Sequence, residues 1–242
     1  MEDIVVKIEH LKKSFGNNHV LADINLQVKK GENLAILGKS GTGKSVLIKC
    51  LVGLLNADEG EISIFGKSLA DIDENGLNEV RKKIGFVFQS AALYDSLSVR
   101  ENLEFPLRAQ PAKPQHEVDA LVEEVLQNVD LKDAIDKMPS ELSGGMRKRI
   151  GLARSLILRP DIMLYDEPTT GLDPITSKEI SKLILDMQHK YKTTSVIITH
   201  DIECAHITAN RLAIIDKGLC VAEGTFDEMI KSEDKFVKAF FK

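Results

Sequence analysis

The chain has 242 residues, 43% hydrophobic and 29% charged, which is enough apolar material for one large buried interior and shows no bias toward disorder or a fibrous repeat. A formal net charge of -5 speaks against a nucleic-acid partner, because binding to a phosphate backbone rests on a basic footprint. Cys50, Cys204 and Cys220 are too scattered for a disulfide framework or a metal cluster and fit a reducing compartment, and no uncharged apolar run approaches the roughly 20 residues that cross a bilayer.

The acidic start, Met1-Glu2-Asp3, runs straight into a strand pattern and carries no secretory signal. Val5-Val6-Lys7-Ile8 and Val20 to Val28 alternate in the strand manner and predict an antiparallel sheet opening the fold. A short apolar run, Leu34 to Leu37, predicts a buried strand that stops at Gly38, and Ser45 to Leu54 predicts the helix after it. Ile84 to Phe88 is the next buried-strand candidate. From Gln89 to Pro139 strand signals vanish, and helical patterns such as Val118 to Val129 are interrupted around Pro111 and Pro114, which predicts an inserted helical lobe.

Arg147 to Leu158 continues as a helix, followed by a strand at Ile162 to Tyr165. Asp173-Pro174 sets an N-cap acceptor before a helix-starting proline, so Ile175 to Lys190 has a clear beginning. Strands at Ser195 to Thr199 and Leu212 to Ile215 follow, and Lys217-Gly218 reads as a hairpin turn. Helices alternating with short apolar strands give an α/β fold.

Gly38 to Val46 reads GKSGTGKSV and contains the spacing G-x-x-x-x-G-K-[ST]. Glycines at these positions let backbone N–H groups wrap a phosphate chain without side-chain clashes. Lys44 then meets the β and γ phosphates, Ser45 offers its hydroxyl to Mg²⁺, and the start of the next helix adds a positive end to the field. A preceding buried strand and a following helix are the context this pattern needs. Asp166 and Glu167 close another buried strand at the edge where open α/β sheets bind ligands. Asp166 suits Mg²⁺ through its water shell, and Glu167 suits accepting a proton from the attacking water.

Leu142-Ser143-Gly144-Gly145-Met146, directly before a helix, has no reason to stand in an ordinary phosphate-loop enzyme. With this motif the chain resembles the ATP-binding cassette (ABC) family, from Phe15 to the hairpin near Gly218. The resemblance implies a P-loop NTPase cassette with a RecA-like core, an N-terminal antiparallel β-subdomain and an inserted α-helical subdomain. It implies one domain over 1–242, with 1–88 and 160–242 forming the β-subdomain and core and 89–159 the helical part. It implies ATP hydrolysis with Mg²⁺ as cofactor.

Residue by residue, it implies nucleotide binding by Gly38, Lys39, Ser40, Gly41, Thr42, Gly43, Lys44, Ser45 and Val46. Phe15 resembles the family's aromatic adenine platform, usually a tyrosine, with a core aromatic as the alternative reading. Glu167, His200 and Gln89 stand at the catalytic positions, and Ser45, Gln89 and Asp166 at those that hold Mg²⁺. Ser143, Gly144 and Gly145 stand where the family faces the γ-phosphate held by a second copy of the subunit, and Asp173 resembles the loop crossing that interface. The implied partner is therefore a second copy of this chain in an ATP-sandwich homodimer.

Three stretches, Phe88 to Val99, Leu142 to Ser155 and Tyr165 to Ser177, resemble the cassettes that energise lipid trafficking with MCE-domain proteins, as in the maintenance-of-lipid-asymmetry (Mla) pathway. Met146-Arg147-Lys148-Arg149 carries most weight, since many cassettes prefer glutamines there. Tyr94-Asp95-Ser96 is the second pointer. The implied setting is the cytoplasmic face of the inner membrane, against a multi-span permease and an MCE-domain protein. A solute-import or lipoprotein-release cassette and a soluble iron–sulfur assembly ATPase are the rival readings.

Leu93, Tyr94, Leu97 and Phe105 read either as a groove for a permease helix or as lobe core. Arg147, Lys148 and Arg149 read as a solvated helix face. Ala91 stands where a glycine is expected, and Asn210 replaces a common aspartate. The sequence closes at Lys242 soon after Phe240-Phe241, without the longer tail some members use to hold a regulatory partner, so none is expected.

Overall fold

The computed structural model describes residues 3–241; Met1, Glu2 and Lys242, which entered the reading of the two ends, lie outside the described residues. Alternation of apolar and polar residues makes β1 (Ile4–Phe15), which turns back onto β2 (Asn18–Lys29) in an antiparallel pair. The period then changes. β3 (Asn33–Leu37) is buried at every position, as a strand covered on both faces must be. The helix after it, α1 (Lys44–Leu51), ends before Gly53, whose φ of 64° closes it. The expected extension to Leu54 is therefore too long.

Three elements follow that the sequence pattern did not reveal. β4 (Glu59–Ile64) pairs antiparallel with β1, and β5 (Lys67–Ser68) pairs with β4. In β4 only Ile62 and Ile64 are buried, too short an alternation to read from composition. α2 (Glu74–Arg81) starts at an Asp73 cap and buries only Val80.

After β6 (Ile84–Val87) the chain is helical for a long stretch: α3 (Val99–Glu104), α4 (Gln115–Asn128) and α5 (Gly144–Leu156). Ser98 and Glu101 form a reciprocal capping box at the start of α3, and Ser143 caps α5. β7 (Ile162–Asp166) then leads to α6 (Pro174–Tyr191), where Asp173 accepts from the N–H groups of Ile175 and Thr176 as the Asp-Pro pair predicts. β8 (Thr194–Thr199), α7 (Ile202–Thr208), β9 (Arg211–Asp216) and β10 (Leu219–Gly224) follow. Lys217 and Gly218, both at positive φ, make the predicted hairpin turn between β9 and β10. α8 (Phe226–Lys231) and α9 (Lys235–Phe240) complete the α/β fold.

The strands run in the order β5-β4-β1-β2-β10-β9-β3-β8-β7-β6. β9, β3, β8, β7 and β6 are parallel, while β1, β2, β4 and β5 are antiparallel. Successive residues of β3 point to opposite faces, so Leu34 and Ile36 join the apolar cluster that includes α1, β1 and β2 while Ala35 and Leu37 join the cluster that includes α4, α5 and α6. The parallel strands end on one edge, at Gly38, Gln89, Glu167 and His200. No helix among the described residues is long and apolar enough to cross a membrane.

Tyr165 in β7 is 1% exposed, and its hydroxyl has no hydrogen-bond partner among the described residues. Burial pushes its ionisation far above the ordinary phenol range. An unsatisfied buried hydroxyl costs stability. Tyr165→Phe is therefore expected to stabilise the fold by about 1 kcal/mol, and to raise the melting temperature by roughly 2–4 °C for a chain of this size. A melt showing a loss instead would mean that the hydroxyl is bonded, to a buried water for example.

Candidate nucleotide site

The loop between β3 and α1 needs glycine at its first position for a steric reason. A Cβ on Gly38 would lie 2.6 Å from Thr42 Oγ1 and 2.7 Å from the Ile215 carbonyl. Thr42 Oγ1 donates to the Lys39 carbonyl at 2.9 Å and pins the turn. Lys44 opens α1 and is buried; its Nζ donates to the carbonyls of Gly38 at 2.7 Å and Lys39 at 3.1 Å. Burial lowers its pKa, against the raising pull of the Glu167 and Asp166 charges.

Glu167 follows β7 at φ 50°, a strained conformation for a side chain of this size. Its backbone N–H donates to the Ile198 carbonyl at 2.8 Å, which ties the turn to β8. Oε2 lies 2.7 Å from His200 Nδ1 and accepts from Thr170 Oγ1 at 3.2 Å, while Oε1 lies 3.8 Å from Lys44 Nζ. Asp166 accepts from the Ser45 hydroxyl at 3.3 Å. Burial, helped by the neighbouring Glu167 charge, pushes the Asp166 carboxyl up, and the Ser45 bond opposes it.

One cleft of about 650 Å³ is lined by Lys39, Ser40, Gly41, Gly43, Lys44, Ser45, Val46, Gln89, Glu167 and His200, together with Val20, while Asp166 is not in the lining and meets it through the Ser45 hydroxyl. Val20 is an addition from β2 that carries no sequence signal. Gly38 and Thr42 lie behind the lining as its support. Phe15 does not line the cleft; its ring is 49% exposed at the end of β1, so the core-aromatic alternative does not hold.

Ser143, Gly144, Gly145 and Asp173 are absent from that lining and gather elsewhere. A Cβ on Gly144 would lie 3.5 Å from Leu172 Cδ2, and one on Gly145 2.8 Å from Thr176 Cγ2, so the start of α5 packs beside the start of α6. Ser143 Oγ accepts from the Met146 N–H at 3.2 Å. Asp173 accepts from the Thr176 hydroxyl at 2.6 Å, which holds its carboxyl below the usual range.

The reading of residues 147–149 as a solvated face holds for Arg147, which is exposed, and is corrected for Lys148 and Arg149, which are buried and half-buried. Arg147 donates to the Leu142 carbonyl at 2.9 Å, and Arg149 to the Val129 carbonyl at 3.2 Å and to Glu179 at 3.0 Å. Lys148 is buried, with Nζ 2.6 Å from the Gln89 carbonyl and 3.2 Å from the Glu167 carbonyl. Its acceptors are backbone atoms far along the chain, so no residue pattern points to them.

The two departures also have structural reasons. Ala91 sits at φ 62° and Ala92 at φ 48°, the conformation that would suit glycine. Asn210 Oδ1 accepts from the Asn33 N–H at 2.6 Å at the edge of β3.

Residues 21–170 match the protein family described as ABC transporter. The chain is 38% identical over 242 residues to the intermembrane phospholipid transport system ATP-binding protein MlaF of Haemophilus influenzae, covering 100% of this chain and 92% of that one. It is equally identical, at 38% over 234 residues, to the methionine import ATP-binding protein MetN of Clostridium acetobutylicum, covering 97% of this chain and 73% of the relative. The probable ribonucleotide transport ATP-binding protein mkl of Mycobacterium leprae is 38% identical over 237 residues, 98% of this chain and 68% of that protein. Among solved structures, the dimeric post-hydrolysis state of the ATP-binding cassette MJ0796 bound to ADP and Pi superposes with a TM-score of 0.83 at 33% identity, over 91% of this chain and 98% of that one. cbiO1 from Clostridium perfringens, part of the transporter complex cbiONQ, gives 0.88 at 31%, over 100% and 96%.

Proposed function

The chain belongs to the ABC transporter ATP-binding family and is an ATPase of that family, and from this premise we propose that it drives phospholipid trafficking as a peripheral subunit on the cytoplasmic face of an inner membrane. The observation that carries the lipid reading is the run Met146-Arg147-Lys148-Arg149 at the head of α5, set beside the whole-chain likeness to MlaF. Methionine import is the second reading, favoured by the equal identity to MetN.

In the proposed mechanism the N–H groups of the loop from Gly38 to Ser45 hold the phosphates, and Lys44 leaves its two loop carbonyls for phosphate oxygens. Ser45 and Asp166 form a hard-oxygen pair with a single carboxylate, a set that fits Mg²⁺ bound mainly by phosphates and water. Ser45, Gln89 and, through water, Asp166 would hold that ion, which neutralises charge on the phosphates. Glu167 takes the proton of the attacking water, and His200 orients the Glu167 carboxylate. Phe15 gives the adenine an exposed face on which to stack.

The signature residues and Asp173 stand apart from the phosphate cleft. One chain then carries two half-sites, and a second copy, head to tail, completes both. The dimeric state of MJ0796 supports this arrangement. Closure of the pair would be passed to a permease through the segment 89–159, where Tyr94 and Phe105 are exposed and lie ring to ring at 4.5 Å.

Purification from the native membrane in mild detergent, with mass spectrometry of what accompanies the chain, tests the reading. A multi-span permease with an MCE-domain protein is the expected result. A permease that works with a solute-binding protein would overturn the lipid assignment and leave the ATPase intact.

A further inference from the structure

Lysine is rarely buried, because its charge must be repaid by partners inside the protein. Lys148 is 7% exposed, one turn into α5, and its partners are two main-chain carbonyls rather than a carboxylate. Those carbonyls belong to Gln89 and Glu167, which lie in different loops of the cleft.

Both loops hold strained backbone. Glu167 has φ 50°, and Ala91 and Ala92, just after Gln89, have φ 62° and 48°. Such conformations persist only where the surroundings over-determine them, and α5 supplies much of what determines them here. Arg154 donates to the Ala92 carbonyl at 2.8 Å and to the Ala91 carbonyl at 3.1 Å, and Ser155 Oγ donates to the Phe86 carbonyl at 2.8 Å. Gly151 lets the helix approach, since a Cβ there would lie 3.0 Å from Ala91 Cβ. Residues 148, 151 and 155 share one helical face, and that face grips the Gln89 loop. Lys148 alone on this face also reaches Glu167.

From this juxtaposition we propose that Lys148 is a positioning residue: it ties the Gln89 and Glu167 main chains to the helix that begins at Ser143, so that a shift of α5 when its start engages nucleotide is carried directly to the hydrolytic groups. The proposal rests on the reading that Glu167 and Gln89 act in hydrolysis. Arg154 holds one loop in shape, and Ser155 ties α5 to the end of β6 just before it. Lys148 couples that loop to the other and both to the signature segment, and the two carbonyls it bridges cannot separate from α5 without breaking its bonds. Nucleotide binding itself does not need this link, because the phosphate loop is pinned independently by Thr42 and Gly38.

Lys148→Met keeps the length of the side chain and removes its donors. With nucleotide affinity of the isolated chain within about twofold of wild type, kcat is expected to fall by roughly a hundredfold, the scale on which misplacing a reacting group acts. In a Glu167→Gln background the same variant is expected still to form the ATP-dependent dimer. Lys148→Gln, which retains an N–H donor, is expected to recover part of the lost kcat.

A kcat for Lys148→Met within about threefold of wild type would overturn the proposal. Parallel losses of nucleotide affinity, dimer formation and kcat would overturn it too, by showing a general packing role. Should Lys148→Met fail to fold, Lys148→Leu, which also removes the donors, carries the same measurements, and wild-type kcat there overturns the proposal. Wild-type turnover in Glu167→Gln alone would instead remove the base assignment, a failure distinct from that of Lys148.

Discussion

Glu167→Gln is expected to bind ATP as the wild type does, to lose turnover by roughly 10³-fold, and to accumulate as an ATP-bound dimer. The substitution replaces one carboxylate oxygen by an amide nitrogen of nearly the same size, so the strained turn at φ 50° and its N–H bond to Ile198 remain. What is lost is the acceptor for a proton. In the structure that carboxylate sits between His200 Nδ1 at 2.7 Å and Lys44 Nζ at 3.8 Å, on the floor of the cleft that the phosphate loop encloses.

A general base contributes about 10²–10⁴ in rate, which is roughly 3–5 kcal/mol of barrier. Affinity for ATP should be spared, because the phosphates are held by the loop and Lys44. In the proposed cycle a dimer closed on ATP opens only after hydrolysis, so a chain that binds and cannot hydrolyse would stay closed. Phosphate release measured beside size-exclusion chromatography with ATP and with ADP reads both effects. Turnover at the wild-type rate would remove Glu167 from the chemistry.

The parts of this site legible in the sequence are those whose chemistry is local. Gly38 to Ser45 is one continuous segment between a strand and a helix, so residue types at fixed spacing specify both conformation and ligand. Asp166 was legible one step less directly, as an acid at the end of an apolar run, and Gln89 and His200 only through the resemblance to the cassette family; they become neighbours because parallel strands finish on one edge.

Lys148 was not legible. Its acceptors are backbone carbonyls 59 and 19 residues away, and main-chain atoms leave no trace in residue identity. The same holds for Asn210, whose partner is the N–H of Asn33 177 residues away. β4 and α2 escaped because each buries little, and a short half-exposed element has too few apolar positions to show a period. Ala91 marks the opposite case. The expectation of glycine there came from the resemblance to the cassette family, and the backbone does adopt a conformation that suits glycine, with Arg154 binding the carbonyls of Ala91 and Ala92.

Ser143→Arg is expected to leave ATP binding intact and to reduce steady-state turnover by about 10²-fold, the scale of losing a phosphate-facing donor group. Ser143 is exposed at the head of α5, outside the cleft that holds its own chain's phosphates, so a change there should not be felt in cis. In the proposed head-to-tail dimer it would face the γ-phosphate held by the partner, and the guanidinium would fill the space that phosphate enters. The variant also loses the cap to the Met146 N–H and sets a positive charge at a helix N-terminus, together worth about 1–2 kcal/mol of stability, so a melt must accompany the assay. Mixing separates the two causes. Lys44→Ala spoils the phosphate loop and spares the signature, and Ser143→Arg does the reverse. A mixed dimer of the two holds one site with both lesions and one site with neither. Each variant alone should be inactive, and an equal mixture should recover up to about a quarter of wild-type turnover if a symmetric head-to-tail pair shares its sites. Wild-type turnover in Ser143→Arg would count against the shared site, and two folded variants that exchange subunits yet gain nothing on mixing would confine both lesions to a single chain.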